Sequence, residues 1–189
     1  FGLALWFMHE KRLGALFLVA LLVLTIKEEM GLIVIMMGLY LAVFQKRPLA
    51  GLGLSALGAA TFLVVMKLVM PAFIAPHNDL SGYLYLERYA HLGNSFAEVA
   101  QTTFLSPFEA IRLSSNPFRI LNLVLLFAFL GFLPLLGWRV LVMIAPLLGY
   151  SYLSSRSAQF DLRYQYLAST VPFLWLAALQ GFLFCRARL

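Results

Sequence analysis

The sequence predicts an all-α membrane protein, a polytopic transmembrane bundle of about six membrane helices. Hydrophobic residues make up 62% of its 189 residues and charged residues only 12%, whereas soluble domains contain about a quarter charged residues. The mean hydropathy is +0.90, and several apolar runs approach the roughly 20 residues that a spanning helix needs. A single cysteine, Cys185, excludes an internal disulfide and a cysteine-based metal cluster. We therefore expect one integral membrane domain over residues 1–189.

The first long apolar run, Leu13 to Phe44, is interrupted by the charged sequence Lys-Glu-Glu at Lys27–Glu29, which we call the triplet. As one helix this run would be about 48 Å long, whereas the hydrocarbon core of a bilayer is about 30 Å thick. Charged residues inside a bilayer are costly, so we expect the chain to turn at a membrane face here. The prediction is a hairpin of two short helices, Leu13–Ile26 and Met30–Phe44.

The remaining apolar segments complete the predicted bundle. They are Leu49–Phe73, Ile120–Gly137, Val140–Leu153 and Tyr166–Phe184. Within the first of them, Gly51, Ser55 and Ala59 recur at every fourth position. This spacing of small residues is typical of helices that pack closely in membranes, so we expect this face to contact a neighbouring helix.

The charges are distributed unevenly between the two predicted membrane faces. With the C-terminus in the cytoplasm, the inner face has seven basic residues and only Glu10, while the outer face has seven basic and seven acidic residues. Cytoplasmic loops are enriched in Lys and Arg, so this layout predicts a multi-pass protein with the triplet outside. The cations flank apolar segments and form no basic stripe with interleaved aromatic residues. Membrane lipids are therefore the expected partners, and nucleic acid is not.

The stretch 74–119 is predicted to be an extracytoplasmic segment with its own helices. Ser95 and Ser106 are each followed three residues later by Glu, which is the sequence pattern of a capping box. The expected helices are Phe96–Leu105 and Pro107–Leu113, each with apolar residues on one side. Helices of this kind lie along a membrane interface.

Charged and polar residues gather at the predicted outer face in a mixture that suits a phosphorylated lipid head group. Lysine and arginine bind phosphate, a carboxylate can act as a general base, and cations can stabilise charge on a departing phosphate. We predict the following roles: Glu28 and Asp161 catalytic; Lys27, Arg163 and Tyr164 binding the substrate phosphate; Glu29, His77 and Asp79 holding a metal or supporting the site. A divalent metal at Glu28 and Glu29 is the one candidate cofactor.

Simpler explanations stand beside these roles. The triplet could be a water-facing turn, and Arg163 and Tyr164 could be interfacial anchors. His77 and Asp79 could be loop residues without a ligand. The sequence leaves these alternatives open.

Several short stretches resemble one uncharacterised family of bacterial polytopic membrane proteins. Residues 24–32, LTIKEEMGL, resemble the family's apolar-Lys-Glu-acidic turn, and residues 88–95, RYAHLGNS, followed by Glu98, are similar to its outer segment. Residues 131–135, GFLPL, together with Pro146, also fit the family.

That family is related to the GT-C glycosyltransferases, which use polyprenyl-phosphate sugars. Arg163-Tyr164 followed by Pro172 resembles the opening of the last GT-C core helix, and Thr25-Ile26-Lys27 is similar to the Thr-Lys break of these enzymes. The resemblance implies sugar transfer from a polyprenyl-phosphate donor at the extracytoplasmic face of the bacterial inner membrane.

GT-C enzymes are longer and place a catalytic acidic residue in a first outer loop, which has no counterpart here. The chain begins with Phe1, so we expect either the C-terminal part of a longer protein or a reduced, non-catalytic relative. The alternative function is a structural or accessory subunit of a larger membrane protein assembly. A lipid carrier is less favoured because the sequence shows no inverted repeat.

Overall fold

The computed structural model describes residues 1–74 and 86–188, which form helices and connecting turns and contain no strand. His77 and Asp79 lie outside the described residues. The helices are α1 Gly2–His9, α2 Leu13–Leu24, α3 Met30–Val43, α4 Pro48–Val64, α5 Met70–Ile74, α6 Phe96–Leu105, α7 Pro107–Ser114, α8 Pro117–Ala128, α9 Leu133–Leu136, α10 Trp138–Leu141, α11 Ala145–Leu153 and α12 Val171–Arg186. A π-helical stretch, Val65–Val69, joins α4 to α5, and 3₁₀ turns lie at Leu86–Tyr89, Val142–Ile144, Ser157–Gln159 and Gln165–Thr170.

The predicted break at the triplet is confirmed. Helix α2 ends at Leu24 and α3 begins at Met30, so both predicted ends lie within two residues of the observed ones. The two helices have 12 and 14 residues, which corresponds to about 18 and 21 Å. The triplet therefore lies in a turn and not within a helix.

Only two helical stretches among the described residues are long and apolar enough to cross a membrane, Pro48–Phe73 with 26 residues and Gln165–Arg186 with 22. Shorter apolar helices cover Leu13–Leu24, Met30–Val43, Pro117–Ala128 and Trp138–Leu153. The predicted apolar helical bundle is thus confirmed, whereas the predicted number of about six membrane helices is not.

The predicted span Ile120–Gly137 shows why hydropathy alone overestimated helix length. Gly131 and Phe132 both have left-handed backbone, with φ of +60° and +57°, and this conformation ends a helix. The span is consequently divided into α8 and α9. An apolar side chain such as that of Phe132 gives no sign of this break.

Helices α3 and α4 pack closely through small residues. A Cβ atom on Gly51 would lie 2.5 Å from the carbonyl oxygen of Gly38, and one on Gly58 would lie 2.8 Å from that of Gly31. The hydroxyl of Ser55 donates a hydrogen bond of 2.9 Å to the carbonyl oxygen of Ile35. The predicted contact face is confirmed for Gly51 and Ser55, and Gly58 belongs to it as well, because 3.6 residues per turn also bring position i+7 onto one face.

The two short helices α6 and α7 have nearly the predicted bounds. The Ser95 hydroxyl accepts a 3.2 Å bond from the Glu98 amide, and the Glu98 carboxylate accepts a 2.8 Å bond from the Asn94 amide. The second predicted capping box is wrong, because Ser106 makes no side-chain cap bond and Glu109 instead pairs with Arg112 at 2.6 Å. Apolar side chains on both helices are exposed, among them Phe104 at 81% and Phe108 at 88%, as expected for helices at a membrane interface.

Candidate functional site

The triplet builds a charged contact at one end of the bundle, which we call the triplet end. The Lys27 ammonium nitrogen lies 2.7 Å from a carboxylate oxygen of Glu29 and 4.8 Å from the centre of the Tyr166 ring. Glu29 is only 4% exposed, so its negative charge needs this partner. Lys27 is therefore held between a buried carboxylate and an aromatic face, which itself attracts a cation.

Burial raises the pKa of Glu29 above the usual value for a glutamate, and the Glu28 charge adds to this shift. The hydrogen bond and charge of Lys27, together with the more distant charge of Arg88, lower the pKa and so oppose part of the effect. Glu29 thus has a stronger tendency to hold a proton than an exposed glutamate, while its ion pair keeps it near Lys27.

Glu28 differs from its neighbour. It is half-buried, and within the described part of the chain no hydrogen bond or ion pair engages its carboxylate. Glu28 is therefore the triplet carboxylate that can accept a proton from a bound molecule without first breaking an ion pair.

Asp161 and Arg163 form a second ion pair near the same end. The Arg163 guanidinium donates to both carboxylate oxygens of Asp161 at 2.7 to 3.1 Å, and the Arg163 amide donates to one of them at 3.0 Å. These bonds from Arg163 hold the pKa of the Asp161 carboxyl below its usual range. The Arg163 side chain is 78% exposed and that of Asp161 5%, so the aspartate positions an arginine that faces outward. Tyr164, 54% exposed, follows it.

The two ion pairs are neighbours in the fold but remain separate. Tyr166, which contacts Lys27, lies only three residues after Arg163. The amide of Leu162 donates a 3.2 Å bond to the side-chain oxygen of Asn122 on α8, which fixes this connection against the bundle. The structure thus brings Lys27, Glu29 and Tyr166 into contact, and Asp161, Arg163 and Tyr164 form an adjacent group.

A divalent metal finds few ligands at this end. Among residues 1–74 and 86–188, no three His, Cys, Asp or Glu side chains converge in a way that could hold a metal ion. Glu29 and Asp161 already have cationic partners.

Sequence reasoning missed the buried Arg119 on α8. Its guanidinium donates to the carbonyl oxygens of Ser114, Tyr152 and Ser154 and lies 4.5 Å from the centre of the Phe160 ring. Arg119 therefore joins the end of α7 to the end of α11 and the residue that follows it. One signal was available: a basic residue in the first turn of a helix opposes the helix dipole, so its presence there needs another reason.

Further hydrogen bonds link the turn at residues 86–89 to α11 and to the chain that follows α11. The Tyr89 hydroxyl donates a 3.0 Å bond to the carbonyl oxygen of Tyr150, and the amide of Ser155 donates a 2.7 Å bond to that of Arg88. The side-chain amide of Gln159, which is 1% exposed, donates to the Tyr150 hydroxyl at 3.1 Å. The triplet end is thus an ordered polar layer above an apolar bundle.

An apolar helical bundle, two helices of spanning length and a polar layer at one end are together typical of an α-helical integral membrane protein. The chain belongs to the family described as Predicted membrane protein (DUF2079), which it matches over residues 1–183. No curated protein and no solved structure matches it. The predicted membership of an uncharacterised membrane family and the association with membrane lipids are confirmed, whereas the relationship to GT-C enzymes stays a prediction.

Proposed function

We propose that this protein is GT-C-like and binds a polyprenyl-phosphate sugar at the triplet end, on the extracytoplasmic face of a bacterial inner membrane, and transfers the sugar to a hydroxyl acceptor. The observation that carries the proposal is the arrangement of the triplet. Lys27 is fixed by Glu29 and Tyr166, and next to it in the chain is Glu28, whose carboxylate has no ion pair or hydrogen bond within residues 1–74 and 86–188. A cation for a phosphate and a carboxylate for a hydroxyl are the two groups that such a transfer requires.

The cationic side chains bind the lipid phosphate in this proposal. Lys27 supplies a point charge, while the exposed Arg163 offers a planar fork that Asp161 holds in place. Tyr164 lies beside Arg163 and contacts the head group region, where tyrosines are common.

The chemical step is a substitution at the anomeric carbon of the sugar. The acceptor oxygen forms a bond to this carbon as its proton passes to Glu28. The bond between the carbon and the phosphate oxygen breaks, and the phosphate leaves with the electron pair. Lys27 and Arg163 stabilise the negative charge that develops on the leaving phosphate.

A non-catalytic accessory subunit is the second candidate, and the ion pairs favour it in one respect. Two of the three predicted acidic site residues with a described structure, Glu29 and Asp161, are already bound to cations. An assembly subunit that binds a lipid phosphate without transferring sugar needs only Lys27 and Arg163.

Binding and transfer by the purified full chain in lipid nanodiscs separate these functions. With a radiolabelled polyprenyl-phosphate hexose as the probe, we expect Lys27→Met and Arg163→Gln each to weaken binding about tenfold or more, the equivalent of about 1.4 kcal/mol. Glu28→Gln should keep binding but slow transfer by about a hundredfold or more. Arg112→Gln is the matched control, because Arg112 is an exposed arginine paired with Glu109 on α7.

The outcomes have distinct meanings. Unchanged binding in both Lys27→Met and Arg163→Gln would refute the phosphate site. Binding that depends on these cations, without sugar transfer by the parent protein under any acceptor condition, would favour the accessory subunit.

A further inference from the structure

A large groove runs along α1 and α12 and reaches the end of α3 that lies opposite the triplet. It has a volume of about 570 Å³ and lies between α1, the end of α3 and α12. Binding pockets for small molecules commonly have about 300 to 1,000 Å³, so the groove is of ligand size. None of the residues assigned to the triplet end lines it.

The walls of the groove are continuous helix faces. Helix α12 contributes Trp175, Leu179 and Gln180, at positions i, i+4 and i+5, while its opposite face is buried against the core. Helix α1 contributes Leu5, Trp6 and His9. Trp175 is 64% exposed and Trp6 49%, so two large aromatic side chains border an open apolar channel.

One end of this channel borders a second cavity, with which it shares Gln180. Gln180 lines both the groove and a cavity of about 270 Å³, which is also lined by Arg139, Gly137 and Trp138. The Arg139 guanidinium lies 5.7 Å from the Phe44 ring and 5.9 Å from the Trp138 ring. The ion pairs among the described residues involve other cations, so Arg139 has no carboxylate partner there.

Charge identifies the kind of occupant. Lys11, Arg12, Lys46 and Arg47 lie in the turns beside this end of the bundle, and Arg186 and Arg188 lie at the end of α12. An apolar channel by itself gives no selectivity inside a bilayer, because the surrounding lipid chains are equally apolar. The basic end of the channel does give selectivity, since cationic pockets bind anionic lipid head groups.

We propose that this groove is a binding site for one anionic phospholipid. An acyl chain lies in the groove between Trp6 and Trp175. The phosphate binds the guanidinium of Arg139 in the second cavity, and Gln180 lies at the boundary between groove and cavity. Guanidinium groups bind phosphate oxygens in pairs. This site is independent of the function proposed for the triplet end.

Native mass spectrometry of the full chain, after reconstitution with equal amounts of phosphatidylglycerol and phosphatidylcholine, tests the proposal. We expect one retained phosphatidylglycerol, favoured at least about fivefold over phosphatidylcholine. Arg139→Gln should abolish the preference. Arg186→Gln, the same charge change on an exposed residue of the same end that lines neither cavity, should keep it.

A second pair of variants tests the groove itself. Leu179→Trp fills the channel and should lower the amount of retained lipid, whereas Leu183→Trp, on an exposed part of α12 outside the groove, should not. Circular dichroism of each variant verifies the helical fold. Equal retention of both lipids, or equal effects of Arg139→Gln and Arg186→Gln, would overturn the proposal. So would the finding that the protein is a dimer and that Leu179→Trp dissociates it, because a second copy of the chain would then occupy the groove.

Discussion

The ammonium nitrogen of Lys27 lies 4.8 Å from the centre of the Tyr166 ring, so the turn of the first hairpin contacts the connection that precedes the last helix. Glu29 lies on the other side of the same ammonium, at 2.7 Å. Two distant parts of the chain thus meet around one cation. This contact makes the triplet a structural element as well as a candidate site.

Removal of the Lys27 charge alone should destabilise the protein more than removal of the Lys27 and Glu29 charges together. Lys27→Met leaves Glu29 buried without its counter-ion, and we expect a loss of about 1 to 2 kcal/mol in the free energy of unfolding, less than for a fully buried pair because the Lys27 side chain is 35% exposed. The double variant Lys27→Met/Glu29→Gln should recover a large part of this loss. Thermal unfolding in detergent measures both, and identical losses in the single and the double variant would contradict the ion pair as described.

The raised pKa of Glu29 predicts a pH dependence of stability. In the folded state this carboxyl keeps its proton to higher pH than the ordinary value of 4.5, so its stabilising contribution is complete below that pH. The contribution decreases as pH rises through the folded-state pKa. We expect the slope of unfolding temperature against pH in this window to become flatter in Glu29→Gln. If the slope of unfolding temperature against pH in Glu29→Gln equals that of the parent protein, the pH dependence comes from another group.

The pH dependence of stability that we expect from Asp161 has the opposite sign to that from Glu29. The Arg163 hydrogen bonds hold its pKa below 3.8, so they contribute stability above that pH, which is lost as pH falls through the lower folded-state pKa. Asp161→Asn should remove this acid-side decline in unfolding temperature. The check is a titration of unfolding temperature below pH 4, with Glu10→Gln as the control, since Glu10 is exposed and takes part in none of the ion pairs among the described residues.

Replacement of Arg119 tests the connection between α7 and α11. Lysine cannot reproduce the planar guanidinium that reaches three carbonyl groups, so Arg119→Lys should cost about 2 to 3 kcal/mol. Arg112→Lys changes an exposed pair and should stay within about 0.5 kcal/mol. Limited proteolysis should detect faster cleavage of residues 95–115 in Arg119→Lys only; equal cleavage of both variants would contradict this role.

The close contact of α3 and α4 is tested with alanine substitutions of glycine. A Cβ on Gly38 would overlap the side chain of Ser55 and the backbone of Gly51, so Gly38→Ala should destabilise the protein by about 1 to 3 kcal/mol. Gly149→Ala is the control, because no atom lies within 4 Å of its added Cβ. Comparable unfolding temperatures for the two variants would show that the helices are less tightly packed than described.

The membrane orientation is tested with single cysteines in a chain with Cys185→Ser. Positive-inside asymmetry predicts that a membrane-impermeant thiol reagent labels Glu28→Cys from outside intact cells and labels Lys46→Cys only after permeabilisation. Labelling of both from the same side would refute the hairpin topology, and the reverse pattern would invert the predicted orientation.

The sequence by itself determined the membrane class, the helical architecture, the break at Lys27–Glu29 and the start of helix α6 directly after its cap, Ser95. These features depend on the composition of the chain, on the hydropathy of continuous segments and on caps formed by residues close in sequence. The division of the span after Ala128 depends instead on two left-handed residues, one of which, Phe132, resembles any other apolar residue in sequence.

Only the tertiary structure decided which charges meet. It paired Lys27 with the buried Glu29 and Asp161 with Arg163, leaving Glu28 as the unengaged carboxylate of the triplet within the described residues. It also buried Arg119 among carbonyl groups and opened a groove beside α12. Each of these ion pairs joins residues two positions apart, but Lys27 with Tyr166 and Arg119 with Tyr152 and Ser154 are far apart in the chain. Because side-chain charge is the same in every fold, packing determines which of these partners come within reach.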